Sequence, residues 1–119
     1  METALKFYEG VLGIRAQQCE SVPAEKVNVA MLPVGGPRLE LLEPTDPDSP
    51  IGRFLDKKGE GLHHIALQVP DLEAAVEQLK AAGARLLNQP RRGAGGHLYV
   101  FVHPGDTSGV LLELIHHES

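Results

Sequence analysis

His64, Glu40 and Glu113 are the residues of this chain whose types and settings could carry chemistry. Glu40 lies among Leu39, Leu41 and Leu42, and Glu113 among Leu112, Leu114 and Ile115. A carboxylate surrounded by leucines in a strand is costly to bury unless something pairs with it. His64 opens the stretch His64-Ile-Ala-Leu-Gln-Val-Pro-Asp. Strand alternation puts His64, Ala66 and Gln68 on one face and leaves His63, Ile65, Leu67 and Val69 to pack against a helix. The same alternation groups Arg38 with Glu40 and Leu42, and Leu111 with Glu113 and Ile115. Two carboxylates and an imidazole make the donor set of a divalent metal site. One glutamate amid leucines is more often a surface residue on a half-exposed strand. Two at matching places, with a histidine facing the same way, bring the metal reading level with that one. The expectation is that Glu40, His64 and Glu113 converge on one concave site, with His63 pointing away.

The elements that must position these residues come as two copies of one unit. The second copy runs from a strand over Leu62–Val69 into an apolar-periodic helix starting at Leu72 and ending at Gly83, with Asp71 as its N-cap. Strands follow at about Arg85–Leu87, Leu98–Val102 and Val110–Ile115. The first copy lines up from Met1-Glu-Thr-Ala-Leu-Lys-Phe-Tyr onward. Its helix is predicted over Met1–Leu12, with Met1, Ala4, Leu5, Tyr8 and Val11/Leu12 inward, and Gly13 stops it. Its strands are predicted at about Ile14–Cys19, Val27–Leu32 and Arg38–Leu42, the last two joined by the hairpin turn Pro33–Pro37. The turn-rich stretch from Glu43 to Pro50 links the copies, and a short helix from Ile51 to about Lys57 crosses between them. The fold class is therefore α+β, with two βαβββ modules, the first lacking its leading strand. Residues 1–44 form the incomplete first module, 45–61 the linker and 62–119 the second module of a single domain.

Other polar residues carry blander readings. His97, His103, His116 and His117 have no repeat partner and read as solvated. Asp46, Asp48 and Ser49 read as turn and capping residues, and Lys57, Lys58, Arg91 and Arg92 as solvated charges. The glycine-rich loop Pro90–Gly96 matches neither a phosphate-binding loop nor a dinucleotide fingerprint, because it is not a strand-to-helix turn.

Composition excludes more than it assigns. The chain has 119 residues, 42% apolar and 23% charged, which suffices for a core without disulfides. The single cysteine, Cys19, forms no internal bridge, so a reducing, cytoplasmic setting is expected. No apolar run reaches the length of a membrane span, and a net charge of −5 argues against non-specific nucleic-acid binding. Neither a nucleic acid nor a membrane is therefore expected as a partner.

Three stretches resemble methylmalonyl-CoA epimerase: Asp48 to Ala66, Gly93-Ala-Gly-Gly96, and His103-Pro104 followed by Gly109-Val-Leu-Leu-Glu-Leu114. The opening Ala4–Gly13 is similar to a general feature of the wider vicinal-oxygen-chelate, or glyoxalase-like, superfamily. The resemblance implies paired βαβββ modules making a cupped, partly closed mixed sheet around one divalent metal. Glu40, His64 and Glu113 are the implied ligands; Co2+ comes first among the candidates, ahead of Mn2+, Ni2+, Zn2+ and Mg2+. A homodimer acting on a small acyl-CoA substrate is expected. The chain departs from the family in three places. The family's first-strand histidine ligand has no counterpart, Asn28 stands where some relatives carry a glutamate base, and Gly105 stands where a lysine often follows the His-Pro pair. Met1 is accordingly expected to be an internal methionine of a longer reading frame, whose preceding strand bears that histidine.

The expected reaction inverts the α-carbon of methylmalonyl-CoA through an enolate. A divalent Lewis acid stabilises the charge that develops, and Glu113, a ligand with a second oxygen, serves as a base. Glyoxalase-type lyase or Fe(II) dioxygenase chemistry on the same scaffold is the first alternative. A metal-free module that binds a small molecule is the second.

Overall fold

The structure, a computed structural model, describes residues 1–93 and 96–116, and its chain divides into the units Met1–Gly61 and Leu62–Ser119. The first unit opens with α1 (Glu2–Leu5), which continues without a break as a π-helix over Lys6–Val11. The wider π-turn changes which side chains face inward. Met1, Ala4, Leu5 and Tyr8 are half-buried as the 3.6-residue pattern requires, and so is Glu9. Val11 and Leu12, expected on the same stripe, are 70% and 53% exposed instead. Gly13, at φ 73°, makes the stop that the sequence predicts.

Three antiparallel strands follow in the order β1 (Gln18–Val22), β2 (Val27–Pro33) and β3 (Arg38–Pro44). β1 begins later than the predicted Ile14–Cys19. The Glu9 carboxylate accepts a hydrogen bond from the Ala16 N–H at 2.7 Å, which takes that N–H out of strand pairing. The hairpin between β2 and β3 closes through Val34 N–H to the Pro37 carbonyl at 3.0 Å. One face of this sheet packs Val27, Val29, Met31 and Leu42 against Ile51 and Leu55 of α2 (Pro50–Lys58). Ala30 and Leu32, fully buried, lie on the opposite face.

The start of α2 is tied tightly. Ser49, 1% exposed, accepts from the Gly52 N–H at 3.1 Å and donates to the Asp46 carbonyl at 2.6 Å. Capping of this kind contributes about 1 kcal/mol. Asp46, Asp48 and Ser49 are thus turn and capping residues, as the sequence indicates. Gly52 crosses so close to Pro47 that a side chain there would run into the Pro47 carbonyl. α2, expected to cross between the copies, packs on the sheet of the first unit.

In the second unit the sheet order is β4 (Ile65–Val69), β7 (Leu112–His116), β6 (Leu98–Val102) and β5 (Arg91–Arg92). β4 runs parallel to β7, and the other pairs are antiparallel. α3 (Leu72–Ala81) starts at Asp71, whose carboxylate accepts from the Ala74 N–H at 3.1 Å. Leu72 and Val76 of this helix form a core with Val100, Val102 and Leu114. Register then puts Tyr99, Phe101, Glu113 and Ile115 on the face away from α3.

Two expectations for this unit fail. β4 starts at Ile65 rather than Leu62, and of its apolar set only Val69 packs on the core; Ile65 and Leu67 are 44% and 52% exposed. β4 ends the sheet, so α3, seated over β6 and β7, does not cover it. The strand predicted at Arg85–Leu87 shrinks to a bridge between Leu86 and Val102. Beyond it the Asn88 amide accepts from the Phe101 N–H at 2.8 Å and donates to the Tyr99 carbonyl at 3.3 Å, which stops the ladder until Arg91.

The α+β class is as expected: among the described residues there are two open sheets, each with helices, the first one strand smaller than the second.

Candidate functional site

His64 precedes β4 by one residue, and the parallel pairing of β4 with β7 sets Ala66 opposite Glu113. That pairing delivers the imidazole to the carboxylate. His64 Nε2 lies 3.0 Å from Glu113 Oε1, with the two side chains only 11% and 15% exposed. The His64 ring meets Phe101 edge to face at 5.5 Å, and Phe101 meets Tyr99 in the same way at 5.6 Å. Phe101 is also the β6 neighbour of Glu113. Polar groups half-hidden beside aromatic rings interact more strongly than the same groups in water.

His63 does not point away. Its Nδ1 lies 2.9 Å from His64 Nδ1, and the rings meet at 86° with centroids 5.1 Å apart. Alternation misleads here because both histidines precede the strand, where successive side chains need not face opposite ways. Burial first, and the neighbouring His64 second, lower the His63 pKa to about 4, so its ring is neutral at pH 7.

Glu40 belongs to the other unit. It pairs with Met31 across the β2–β3 ladder and shares the sheet face of Val29 and Leu42, the face that receives α2. It is half-buried. Within neither unit, among the described residues, do three or more His, Cys, Asp or Glu side chains come together. The donor chemistry of the His64–Glu113 pair nevertheless fits a divalent cation, since an imidazole and a carboxylate already touch with little exposure to water.

The remaining histidines are mostly structural. His116 Nδ1 accepts from the Leu72 N–H at 3.2 Å, capping α3, and His103 Nδ1 accepts from the Gly105 N–H at 2.9 Å. His97 is half-buried, its Nδ1 lacking a hydrogen-bond partner among the described residues. These three are therefore not solvated rings, and His117, like Ala94 and Gly95 of the glycine-rich loop, lies outside the described residues. Arg92 donates to the Gly96 carbonyl at 2.6 Å. Asn28 donates to Glu43 at 3.4 Å. A side chain at Gly105 would meet the Arg85 guanidinium at 2.6 Å, so a lysine there requires Arg85 to move. An open hollow of about 760 Å³ in the first unit, lined by Glu2, Lys6, Glu9, Arg15 and Glu43 among others, contains none of the three candidate ligands.

Sequence reasoning missed Phe101 and Tyr99. The signal was present: in Leu98–Val102 these two share a face, opposite Val100 and Val102.

The profile of the Glyoxalase/Bleomycin resistance protein/Dioxygenase superfamily matches residues 1–101. Over 96% of this chain, the sequence is 40% identical to the mitochondrial methylmalonyl-CoA epimerase of Homo sapiens and spans 66% of that protein. It is 38% identical to the ethylmalonyl-CoA/methylmalonyl-CoA epimerase of Cereibacter sphaeroides, covering 96% of this chain and 87% of that one. A variant of Streptomyces coelicolor methylmalonyl-CoA epimerase, solved in complex with 2-nitronate-propionyl-CoA, superposes with a TM-score of 0.94 at 36% identity. That match covers all of this chain and 90% of the other.

Proposed function

We propose, for a chain that belongs to the methylmalonyl-CoA epimerases of the Glyoxalase/Bleomycin resistance protein/Dioxygenase superfamily, that it inverts the α-carbon of methylmalonyl-CoA by proton transfer through an enolate. The observation that carries this reading is the contact of His64 with Glu113 at 3.0 Å on the face of the second sheet away from α3. His64 and Glu113 would hold a divalent cation, with Co2+ the first choice. Such a cation supplies Lewis-acid polarisation of a thioester carbonyl when bound.

The chain's own residues do the rest. Glu113 has a second carboxylate oxygen beyond the one facing His64, and this oxygen removes the α-proton from one face; inversion is completed by a second group that delivers a proton to the opposite face of the enolate. General acid–base help of this kind contributes roughly 10²–10⁴-fold. His64 fixes the Glu113 carboxylate in place, and Phe101 shields the pair from water on the sheet side. The relatives favour this chemistry over lyase or dioxygenase reactions on the same scaffold. The acyl-CoA substrate, a homodimeric assembly and a cytoplasmic setting belong to the same proposal. No helix among the described residues is long and apolar enough to cross a membrane.

Solvent-deuterium incorporation into methylmalonyl-CoA, followed by mass spectrometry with and without added Co2+, tests the reading. Exchange at the α-carbon that rises with Co2+ is the expected result. Absence of exchange at saturating Co2+ by the folded protein overturns it.

A further inference from the structure

We propose that His63 is a positioning residue, which sets the ring orientation of His64 through the contact between their Nδ1 atoms. The inference rests on the reading of His64 as a working site residue. His64 is held on three sides within the second unit: by His63 at Nδ1 (2.9 Å), by Phe101 against its ring, and by Glu113 at Nε2 (3.0 Å). Phe101 fixes the plane of the ring but cannot tell one nitrogen from the other. A neutral imidazole carries its proton on one nitrogen only, so the partner of Nδ1 must match what Glu113 or a cation asks of Nε2.

The pairing with His63 works in both states that the site needs. Without a cation, His64 donates from Nε2 to Glu113, its Nδ1 accepts, and His63 is the donor. With the Nε2 lone pair engaged by a cation, the His64 proton sits on Nδ1 and His63 accepts it. An imidazole at position 63 offers either role from the same atom, whereas a hydrocarbon side chain offers neither. Groups that hold the far nitrogen of a ligating histidine in this way affect metal affinity by about 10–100-fold. The edge-to-face packing of the two rings at 5.1 Å keeps that atom in place.

The test compares the parent protein with His63→Phe, which keeps a ring but no hydrogen bond, and His63→Asn, whose amide can donate or accept near the position of Nδ1. His63→Ala replaces the phenylalanine variant if that one does not fold, as judged by circular dichroism. The first readout is the pair of 15N chemical shifts of the His64 ring in metal-free protein at neutral pH. The Nδ1 shift of a hydrogen-bonded acceptor is expected in the parent, that of an unbonded nitrogen in His63→Phe, and the parent pattern again in His63→Asn. The second readout is Co2+ affinity by calorimetry, expected to fall about 10–100-fold in His63→Phe and to recover in His63→Asn. Unchanged His64 shifts together with Co2+ affinity within about twofold of the parent would overturn the proposal. If the parent itself binds no Co2+, the cation reading of the site fails, and the nitrogen shifts alone still decide the role of His63.

Discussion

β7 and β3 are the closing strands of two related sheets, and each carries a glutamate at the same place, but among the described residues β7 has a neighbour on both sides and β3 on one. β4 lies parallel along β7 and brings His64 to Glu113, whereas β3 is the last strand of its sheet and hydrogen-bonds within that sheet to β2. The faces differ as well. Glu113 lies opposite the face covered by α3, while Glu40 shares its face with the residues that receive α2. A carboxylate in a strand thus becomes part of a site through what the adjoining strand delivers. The matched glutamates alone do not show this.

The largest effect should come from the second unit. Glu113→Gln is expected to lower kcat for α-proton exchange by about 10²–10⁴-fold, with the melting temperature kept or raised. Glu40→Gln, on the face of the other sheet that receives α2, is expected to leave kcat near the parent value. The two variants, titrated with Co2+ in the deuterium-exchange assay, separate the roles; equal losses of kcat at saturating Co2+ would erase the distinction between the strands.

The core of the first unit supplies the next test. Leu32 is fully buried, so Leu32→Ala should cost about 2–5 kcal/mol, read by urea denaturation. A loss below about 1 kcal/mol would mean that the smaller sheet is loosely packed. Gly52→Ala should follow at about 1–3 kcal/mol, because the new methyl group meets the Pro47 carbonyl carbon at 2.8 Å and the Asp46 carbonyl oxygen at 2.9 Å. A neutral outcome in the same assay would show that α2 is not fixed to the first sheet as described.

The smallest effect is a pH dependence in the second unit. Hydrogen bonds from the Arg85 side chain first, and from its backbone N–H second, hold the Asp106 carboxyl below the ordinary carboxylate range. A group whose folded pKa is depressed stabilises the fold fully above its unfolded value, and that contribution is lost as pH falls through the folded one. The stability gap between the parent and Asp106→Asn should therefore be constant near neutrality and close in acid. A gap that widens in acid would contradict the assignment.

Local rules made much of this structure legible in the sequence. Asp71, Gly13, Gly83 and the Pro33–Pro37 turn did so because each is decided by a few neighbouring residues. Glu113 stood out because the repeat offered Glu40 for comparison, and strand alternation gave His64 the facing that brings it to Glu113. What failed depended on distant partners. The π-turn at Lys6–Val11 has no residue signature here, and the late start of β1 depends on Glu9 reaching Ala16. The break after Leu87 depends on an asparagine amide reaching β6. The exposure of Ile65 and Leu67 depends on where a sheet ends, which period-two alternation does not encode.

The parallel pairing of β4 with β7 also has a consequence in time. Ile65 pairs with Leu112 and Val69 with His116, so the second unit is closed by contacts between its beginning and its end. The β6–β7 ladder joins strands much nearer in sequence, and such local pairings close with less loss of chain entropy. The contact between His64 and Glu113 should therefore be among the last formed in folding and the first released when β4 detaches. In native-state hydrogen exchange, the β4 amides that bond to β7 should open at lower free energy than those of β6. Activity would then disappear on heating or in mild denaturant while most of the second unit's sheet is still intact.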